Sequence, residues 1–196
     1  MAQRGRPPLS RGILSFEGED WAPPPTLLLD TTIVVEALLP SQPNHAACVA
    51  FFDRVAGSET TLIFNRLLET ELCEVLFNIA LKEQHGKRWK TARYDGRARR
   101  RAGRLLDGGL KSWRELLDAV AWSRIELSEV SDEVPRLIRA HGLRSYDAVH
   151  AASLDFAGIG DLATLDHGFA SLPQGRASIH TTTTRLATMR RWRGGV

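Results

Sequence analysis

The stretch TLLLDTTIVVEALL, residues 26–39, decides the fold class of this chain. Its first part, TLLL, is a short apolar run of the kind that forms a buried strand. The run ends at Asp30, and the residues after it continue as a helix that Pro40 closes. A strand that passes directly into a helix predicts an α/β domain if the pattern recurs along the chain.

The pattern does recur. Further strand candidates are 60–64, 123–127, 162–165 and a segment near 177–182, and helix candidates stand between them at 44–55, 66–82, 110–121, 131–142 and 143–156. Strands that alternate with helices indicate an α/β domain with a largely parallel central sheet. No Gly-x-Gly-x-x-Gly or P-loop sequence follows a strand candidate, which argues against dinucleotide and Walker-type nucleotide binding.

The bulk composition is that of an ordinary globular domain. The 196 residues are 43% hydrophobic and 25% charged. No apolar run approaches the roughly 20 residues that span a bilayer, and no apolar region follows the basic N-terminus as in a secretory signal. Cys48 and Cys73 lack the spacing of a metal site. We therefore expect a cytoplasmic protein with reduced thiols and no membrane association.

The charge of +3 is unevenly distributed. One segment holds a single acid, Asp95, and carries a net +8, so that the rest of the chain carries −5. Such a segment predicts a surface that binds a polyanion, although a solvated loop or a contact with an acidic partner protein would explain it equally well. Its basic residues are Lys87, Arg88, Lys90, Arg93, Arg97, Arg99, Arg100, Arg101 and Arg104.

Composition also divides the chain into regions. Residues 1–25 are rich in Gly, Pro and charge and predict a flexible arm. We expect one domain over 26–184, with the basic segment as an insertion at about 84–108, and a basic tail over 185–196.

Three carboxylates are expected at one edge of the sheet. Asp30 and Asp166 each follow a strand candidate, and Asp147 lies in the first turn of a helix. Ligands of open parallel sheets bind beyond the carboxyl ends of the strands. Each acid alone could be a helix cap, a turn residue or a partner of the helix dipole. Together they would repel one another strongly without a cation.

A fourth acid is expected on the helix at 66–82. Glu69 and Glu71 flank its apolar stripe on opposite sides, whereas Glu74 falls further toward solvent. Periodicity alone does not choose between Glu69 and Glu71. Oxygen ligands without a histidine or cysteine set favour Mg²⁺ or Mn²⁺ over Zn²⁺. Such ions can promote phosphodiester hydrolysis, and a phosphodiester backbone is also what a basic segment attracts.

Four segments resemble, in order, those of PIN-domain ribonucleases, including VapC-type toxins. They are LLLDTTIVVEALLP (27–40), LLETELCEVLFNIAL (67–81), SYDAVHAASLD (145–155) and LATLDHGF (162–169), and the resemblance covers roughly residues 26–180. It implies a three-layer α/β/α fold around a mostly parallel sheet. The resemblance also maps the family's catalytic acids to Asp30, Glu71, Asp147 and Asp166, with Thr32 and Thr164 as supporting hydroxyls.

The resemblance further implies an activity and partners. Asp30, Asp147 and Asp166 would hold Mg²⁺ or Mn²⁺ for the cleavage of RNA by water. VapC-type toxins commonly form homodimers and are silenced by a small antitoxin protein. The alternative is a non-catalytic PIN-like module that binds RNA or protein through its basic segment. His150, one turn after Asp147, could touch substrate or a carboxylate, but a packing role is the more common one for such a histidine.

Overall fold

The central element is one parallel sheet. The structure, a computed structural model, describes residues 12–173 and 175–194. In these ranges the strands are β1 (Ile13–Ser15), β2 (Thr26–Leu29), β3 (Thr61–Asn65), β4 (Ala121–Ile125), β5 (Asp161–Ala163) and β6 (Ser178–Thr181). Their order is β1-β6-β5-β2-β3-β4, and each neighbouring pair is parallel. The expected parallel sheet is confirmed.

Helices cover both faces of the sheet. They are α1 (Thr31–Leu38), α2 (His45–Ala56), α3 (Arg66–His85), α4 (Trp89–Ala92), α5 (Gly96–Asp118), α6 (Val134–His141), α7 (Ser145–Ala157) and α8 (Thr183–Gly194). Leu27 and Leu29 of β2 share one core with α1, α2, α3 and α5, whereas Leu28 shares the other with α6, α7 and α8. Alternate side chains of a strand point to opposite faces, so this division produces the expected three-layer α/β/α fold. None of the described helices is long and apolar enough to cross a membrane.

The alanines of α7 let this helix lie close to the sheet. Ala148, Ala151 and Ala152 are fully buried in the core that also contains Leu28 and Leu162. Small side chains permit a short distance between helix and strand. The first turn of α7, with Asp147, is thereby held close to the body of the sheet.

The basic segment is helical. A 3₁₀ turn (Gly86–Arg88), α4 and the first half of α5 form it, and the helix predicted at 110–121 is the second half of the same α5. Ala98 and Ala102 of α5 pack against Ala80 and Leu81 of α3. The segment is therefore built onto the second half of α3 by its small apolar side chains.

The prediction of a flexible arm over 1–25 is wrong for residues 12–25. There β1 pairs with β6, and Phe16 and Trp21 are buried in the core beside Phe51. The Trp21 indole Nε1–H donates to Nδ1 of His180 at 2.8 Å. These apolar side chains anchor the segment despite its polar composition, and residues 1–11 of the predicted arm lie outside the described ranges.

The prediction of a basic tail over 185–196 is wrong for residues 185–194. They form most of α8, and Met189 is fully buried in the core with Ile13 and Phe169. Arg190 donates to the carbonyl of Ile13 at 3.3 Å. The helix thus covers β1, and residues 195–196 lie outside the described ranges.

Candidate metal centre

Asp30 lies at the junction of β2 and α1. Its backbone is extended as at a helix N-cap, but its side chain makes no capping hydrogen bond. Instead Oδ2 accepts hydrogen bonds from Thr32 Oγ1 at 2.5 Å and Thr164 Oγ1 at 2.7 Å. The other oxygen, Oδ1, lies 3.5 Å from Nε2 of His150. The carboxylate is buried and fixed through one oxygen, which leaves the second oxygen to face the site.

Thr32 and Thr164 also join the ends of two strands. The amide of Leu165 donates to Thr32 Oγ1 at 3.0 Å, and the amide of Asp166 donates to Thr164 Oγ1 at 2.9 Å. Each hydroxyl therefore accepts from the chain after β5 and donates to Asp30. This arrangement sets Asp30 and Asp166 at the same edge of the sheet.

Glu71 is the acid of α3 that reaches Asp30. Its Oε2 accepts from Thr31 Oγ1 at 2.6 Å and lies 3.3 Å from Nε2 of His150. Glu69 instead pairs with Arg66 and Arg124. Glu74 pairs with Arg93 at 3.7 Å. Of the three glutamates that the sequence offered, only Glu71 joins this cluster.

Asp147 and Asp166 approach each other beside Gly168. A Cβ atom added at Gly168 would lie 3.1 Å from Oδ2 of Asp147 and 3.2 Å from Oδ1 of Asp166. Asp166 Oδ1 accepts the Gly168 amide hydrogen at 2.7 Å. Glycine is thus the residue that leaves both carboxylates room at this position.

The charge of the Asp147 carboxylate is only partly offset, by His150 and Arg144, among the described residues. Burial, and then the charges of Asp166 and Asp30, raise the pKa of Asp147 to about 6. Within residues 12–173 and 175–194, no group donates a hydrogen bond to this side chain. An added positive charge at this position would therefore stabilise the ionised form.

His150 lies in the site, although a packing role is the more common one for such a histidine. The ring is buried, contacts Phe169, and lies between Asn65 on one side and Glu71 and Asp30 on the other. The signal was its position three residues after Asp147, since residues at this spacing share one side of a helix. Nothing in the sequence indicated Asn65 as its partner.

The donor atoms fit a divalent cation. Asp30, Glu71 and His150 each offer one possible ligand atom, and these atoms lie within 4.8 Å of one another. Asp147 and Asp166 add negative charge at the same place. Clustered carboxylate oxygens are the donors that Mg²⁺ and Mn²⁺ prefer.

The basic segment comes close to this centre through α3. Eight of its nine basic side chains are exposed, and Arg93 is half-buried against Glu74. Glu74 follows Glu71 by three residues, which is about 4.5 Å along a helix axis. The ion pair between Arg93 and Glu74 therefore attaches the basic segment to α3 roughly one helical turn beyond Glu71.

Comparison with known families identifies the class of protein. The family model described as "PIN domain" matches residues 27–174, about three quarters of the chain. The chain belongs to the PIN domain family, whose members are generally nucleases. This membership confirms the resemblance that the four sequence segments suggested.

Among solved structures, the toxin VapC20 of Mycobacterium tuberculosis, described as cleaving the sarcin-ricin loop, is similar to this chain. The comparison has a TM-score of 0.43 and 13% identity, and it covers 69% of this chain and 86% of the toxin. A search of curated proteins finds no match.

Proposed function

We propose that this protein is a Mg²⁺- or Mn²⁺-dependent endoribonuclease. The observation that carries the proposal is the gathering of Asp30, Glu71, Asp147 and Asp166, from four separate parts of the chain, around one edge of the sheet. Structural needs alone would not favour such a group, because the carboxylates repel one another when ionised.

The residues would have different roles in binding the cation. Asp30, Asp147 and Asp166 hold the cation, with Thr32 and Thr164 keeping Asp30 in place. Glu71 completes the negative site from α3. A bound cation would supply Lewis-acid activation of water and stabilisation of the leaving oxygen.

The decisive experiment tests metal-dependent cleavage of RNA. Asp30→Asn and Asp147→Asn should each lower Mn²⁺-stimulated cleavage by more than about 100-fold while thermal unfolding stays cooperative. Asp107→Asn is the matched control, because Asp107 is exposed on α5 and is not among the carboxylates of the cluster. Cleavage by both site variants at the wild-type rate would contradict the proposal. Binding of RNA without binding of Mn²⁺ would instead favour a non-catalytic module.

The basic segment would bind the phosphates of the RNA. The nine residues are Lys87, Arg88, Lys90, Arg93, Arg97, Arg99, Arg100, Arg101 and Arg104. Changing the consecutive arginines 99–101 to serine should weaken RNA binding and reduce the salt slope by roughly 0.7 per lost contact. An unchanged affinity and slope would assign this segment to contact with a protein partner.

We extend the proposal to a toxin of the VapBC type, on the resemblance of the four segments to VapC-type toxins. The protein would act in the cytoplasm as a homodimer and be silenced by a small antitoxin. A short reading frame immediately upstream, whose product restores growth and binds the protein, would support this role. Light scattering, which gives the molar mass in solution, tests whether the protein is a dimer. Absence of growth arrest on expression would contradict the toxin role while leaving nuclease activity open to its own test.

A further inference from the structure

Asn65 is a fully buried residue that joins β3 to α3. Its side-chain Oδ1 accepts the amide hydrogen of Leu68 at 3.2 Å and so caps the helix. An amide hydrogen needs an oxygen acceptor, so this bond determines which end of the Asn65 side chain is oxygen and which is nitrogen.

The amide nitrogen of Asn65 has two hydrogens, and both have acceptors. Nδ2 lies 3.0 Å from Nδ1 of His150 and 3.2 Å from Oγ of Ser153. The hydroxyl of Ser153 donates its hydrogen to the carbonyl oxygen of Val149 at 2.8 Å, so towards Asn65 the Ser153 oxygen acts as an acceptor. The remaining role for Nδ1 of His150 is therefore that of an acceptor, and the ring hydrogen belongs on Nε2.

Nε2 of His150 faces the carboxylates. It lies 3.3 Å from Oε2 of Glu71 and 3.5 Å from Oδ1 of Asp30. Its hydrogen can donate to Oε2 of Glu71. A nitrogen that carries a hydrogen has no lone pair for a metal. Although the three residues have the spacing of a ligand set, the imidazole cannot serve as one in this orientation.

We infer that His150 is a positioning residue and not a metal ligand: Asn65 holds its ring with the Nε2 hydrogen toward Glu71 and Asp30. The cluster then offers a cation only oxygen atoms. The part of the inference that concerns the cation rests on the proposed function, whereas the ring orientation follows from the hydrogen bonds alone.

Only the neutral ring with its hydrogen on Nε2 fits the contacts on both sides of His150. A charged ring would also carry a hydrogen on Nδ1, which would meet the Asn65 amide hydrogen instead of accepting it. Imidazole is a favoured ligand of Zn²⁺, Ni²⁺ and Cu²⁺, and its exclusion biases the centre toward Mg²⁺ and Mn²⁺.

The first test is the position of the ring hydrogen in the metal-free protein. Long-range ¹H–¹⁵N spectra of protein labelled at histidine should show a hydrogen on Nε2 of His150, with the signal assigned by its loss in His150→Gln. His180 is an internal reference, because its Nδ1 accepts from Trp21 and its Nε2 lies 2.8 Å from Asp161 Oδ1. A bare Nε2 with the hydrogen on Nδ1 would overturn the inference.

A variant tests the part played by Asn65. Asn65→Asp keeps an acceptor for Leu68 but replaces the amide donor by an acceptor, so a hydrogen should appear on Nδ1 of His150. Ser153→Ala is the control, because it removes the other acceptor of the amide and leaves the bond to His150. An Asn65→Asp spectrum identical to wild type would show that Asn65 does not orient the ring. If this variant does not fold, the wild-type spectra still decide the ring orientation.

The second test examines the loaded centre. Pulsed electron paramagnetic resonance of Mn²⁺-loaded protein, with ¹⁴N- or ¹⁵N-labelled histidine, should show no directly bound histidine nitrogen. A bound nitrogen that disappears in His150→Gln would overturn the inference. Failure of Mn²⁺ to bind at all would contradict the proposed function, and the metal-free spectra would still decide the orientation of His150.

Discussion

Glu71 accepts a hydrogen bond at 2.6 Å from the hydroxyl of Thr31, the residue that follows Asp30. This contact joins the second turn of α3 to the first residue of α1. Glu69, two residues earlier on the same helix, turns away and lies 3.4 Å from Arg124. Matched substitutions of the two glutamates therefore distinguish a residue of the site from a surface residue of the same helix.

Glu71→Gln should lower Mn²⁺ affinity by about 10- to 100-fold, because the amide keeps an oxygen for Thr31 but loses the negative charge. Glu69→Gln should leave Mn²⁺ affinity unchanged, since it alters only two partly exposed ion pairs, each worth under about 1 kcal/mol. Titration calorimetry measures the Mn²⁺ affinity of both variants. Equal losses in the two variants would contradict the assignment of Glu71.

Gly168→Ala should weaken Mn²⁺ binding by about tenfold with little change in stability. The added methyl group would lie 3.1 Å from Asp147 Oδ2 and 3.2 Å from Asp166 Oδ1, so the carboxylates must move apart. Gly18→Ala is the control, because its methyl group would meet only an ordinary contact at 3.7 Å. Calorimetry and thermal unfolding of both variants separate a local effect from a loss of fold. Wild-type Mn²⁺ affinity in Gly168→Ala would show that these two carboxylates do not act together.

The local sequence pattern was sufficient to predict the parallel sheet and the position of Asp30 at its edge. Apolar runs that end in an acid and pass into a helix place the acid at a sheet edge whatever the strand order. The choice of Glu71 over Glu69 required the tertiary structure, because both flank the apolar stripe of α3 at similar angles. The role of His150 depends on Asn65, which is 85 residues away in the chain and is not detectable by periodicity.

The terminal segments were mispredicted for a related reason. Phe16 ends an apolar stretch of only four positions, ILSF (13–16), and Trp21 stands alone between acids and prolines. Neither context gives an extended periodic signal for the burial of these two residues. The three residues of β1 pair with β6, where Ile13 lies opposite Ile179. Such long-range pairing stabilises segments whose local sequence favours disorder.

The two adjacent glycines of α5 should respond in opposite directions to alanine. A methyl group at Gly108 meets no atom within 4 Å, whereas one at Gly109 would lie 2.5 Å from Leu76 Cδ1. Gly108→Ala should raise the free energy of unfolding by roughly 0.5–1 kcal/mol, the helix preference of alanine over glycine. Gly109→Ala should lower it by about 1–3 kcal/mol, because Leu76 is fully buried and must be displaced. Urea denaturation measures both, and a gain in stability for Gly109→Ala would contradict the close packing of α3 and α5.

Trp21→Phe should destabilise the protein by about 1–3 kcal/mol, although phenylalanine retains most of the buried ring. The substitution removes the indole hydrogen that Nδ1 of His180 accepts, and His180 is itself buried and bonded to Asp161. Trp122→Phe is the matched control, because Trp122 is 45% exposed on the edge strand β4 and should cost no more than about 0.5 kcal/mol. Denaturation in urea compares the two free energies. Equal small losses would show that the indole–histidine bond does not hold residues 12–25 to the sheet, whereas the expected difference would assign this segment to the folded domain.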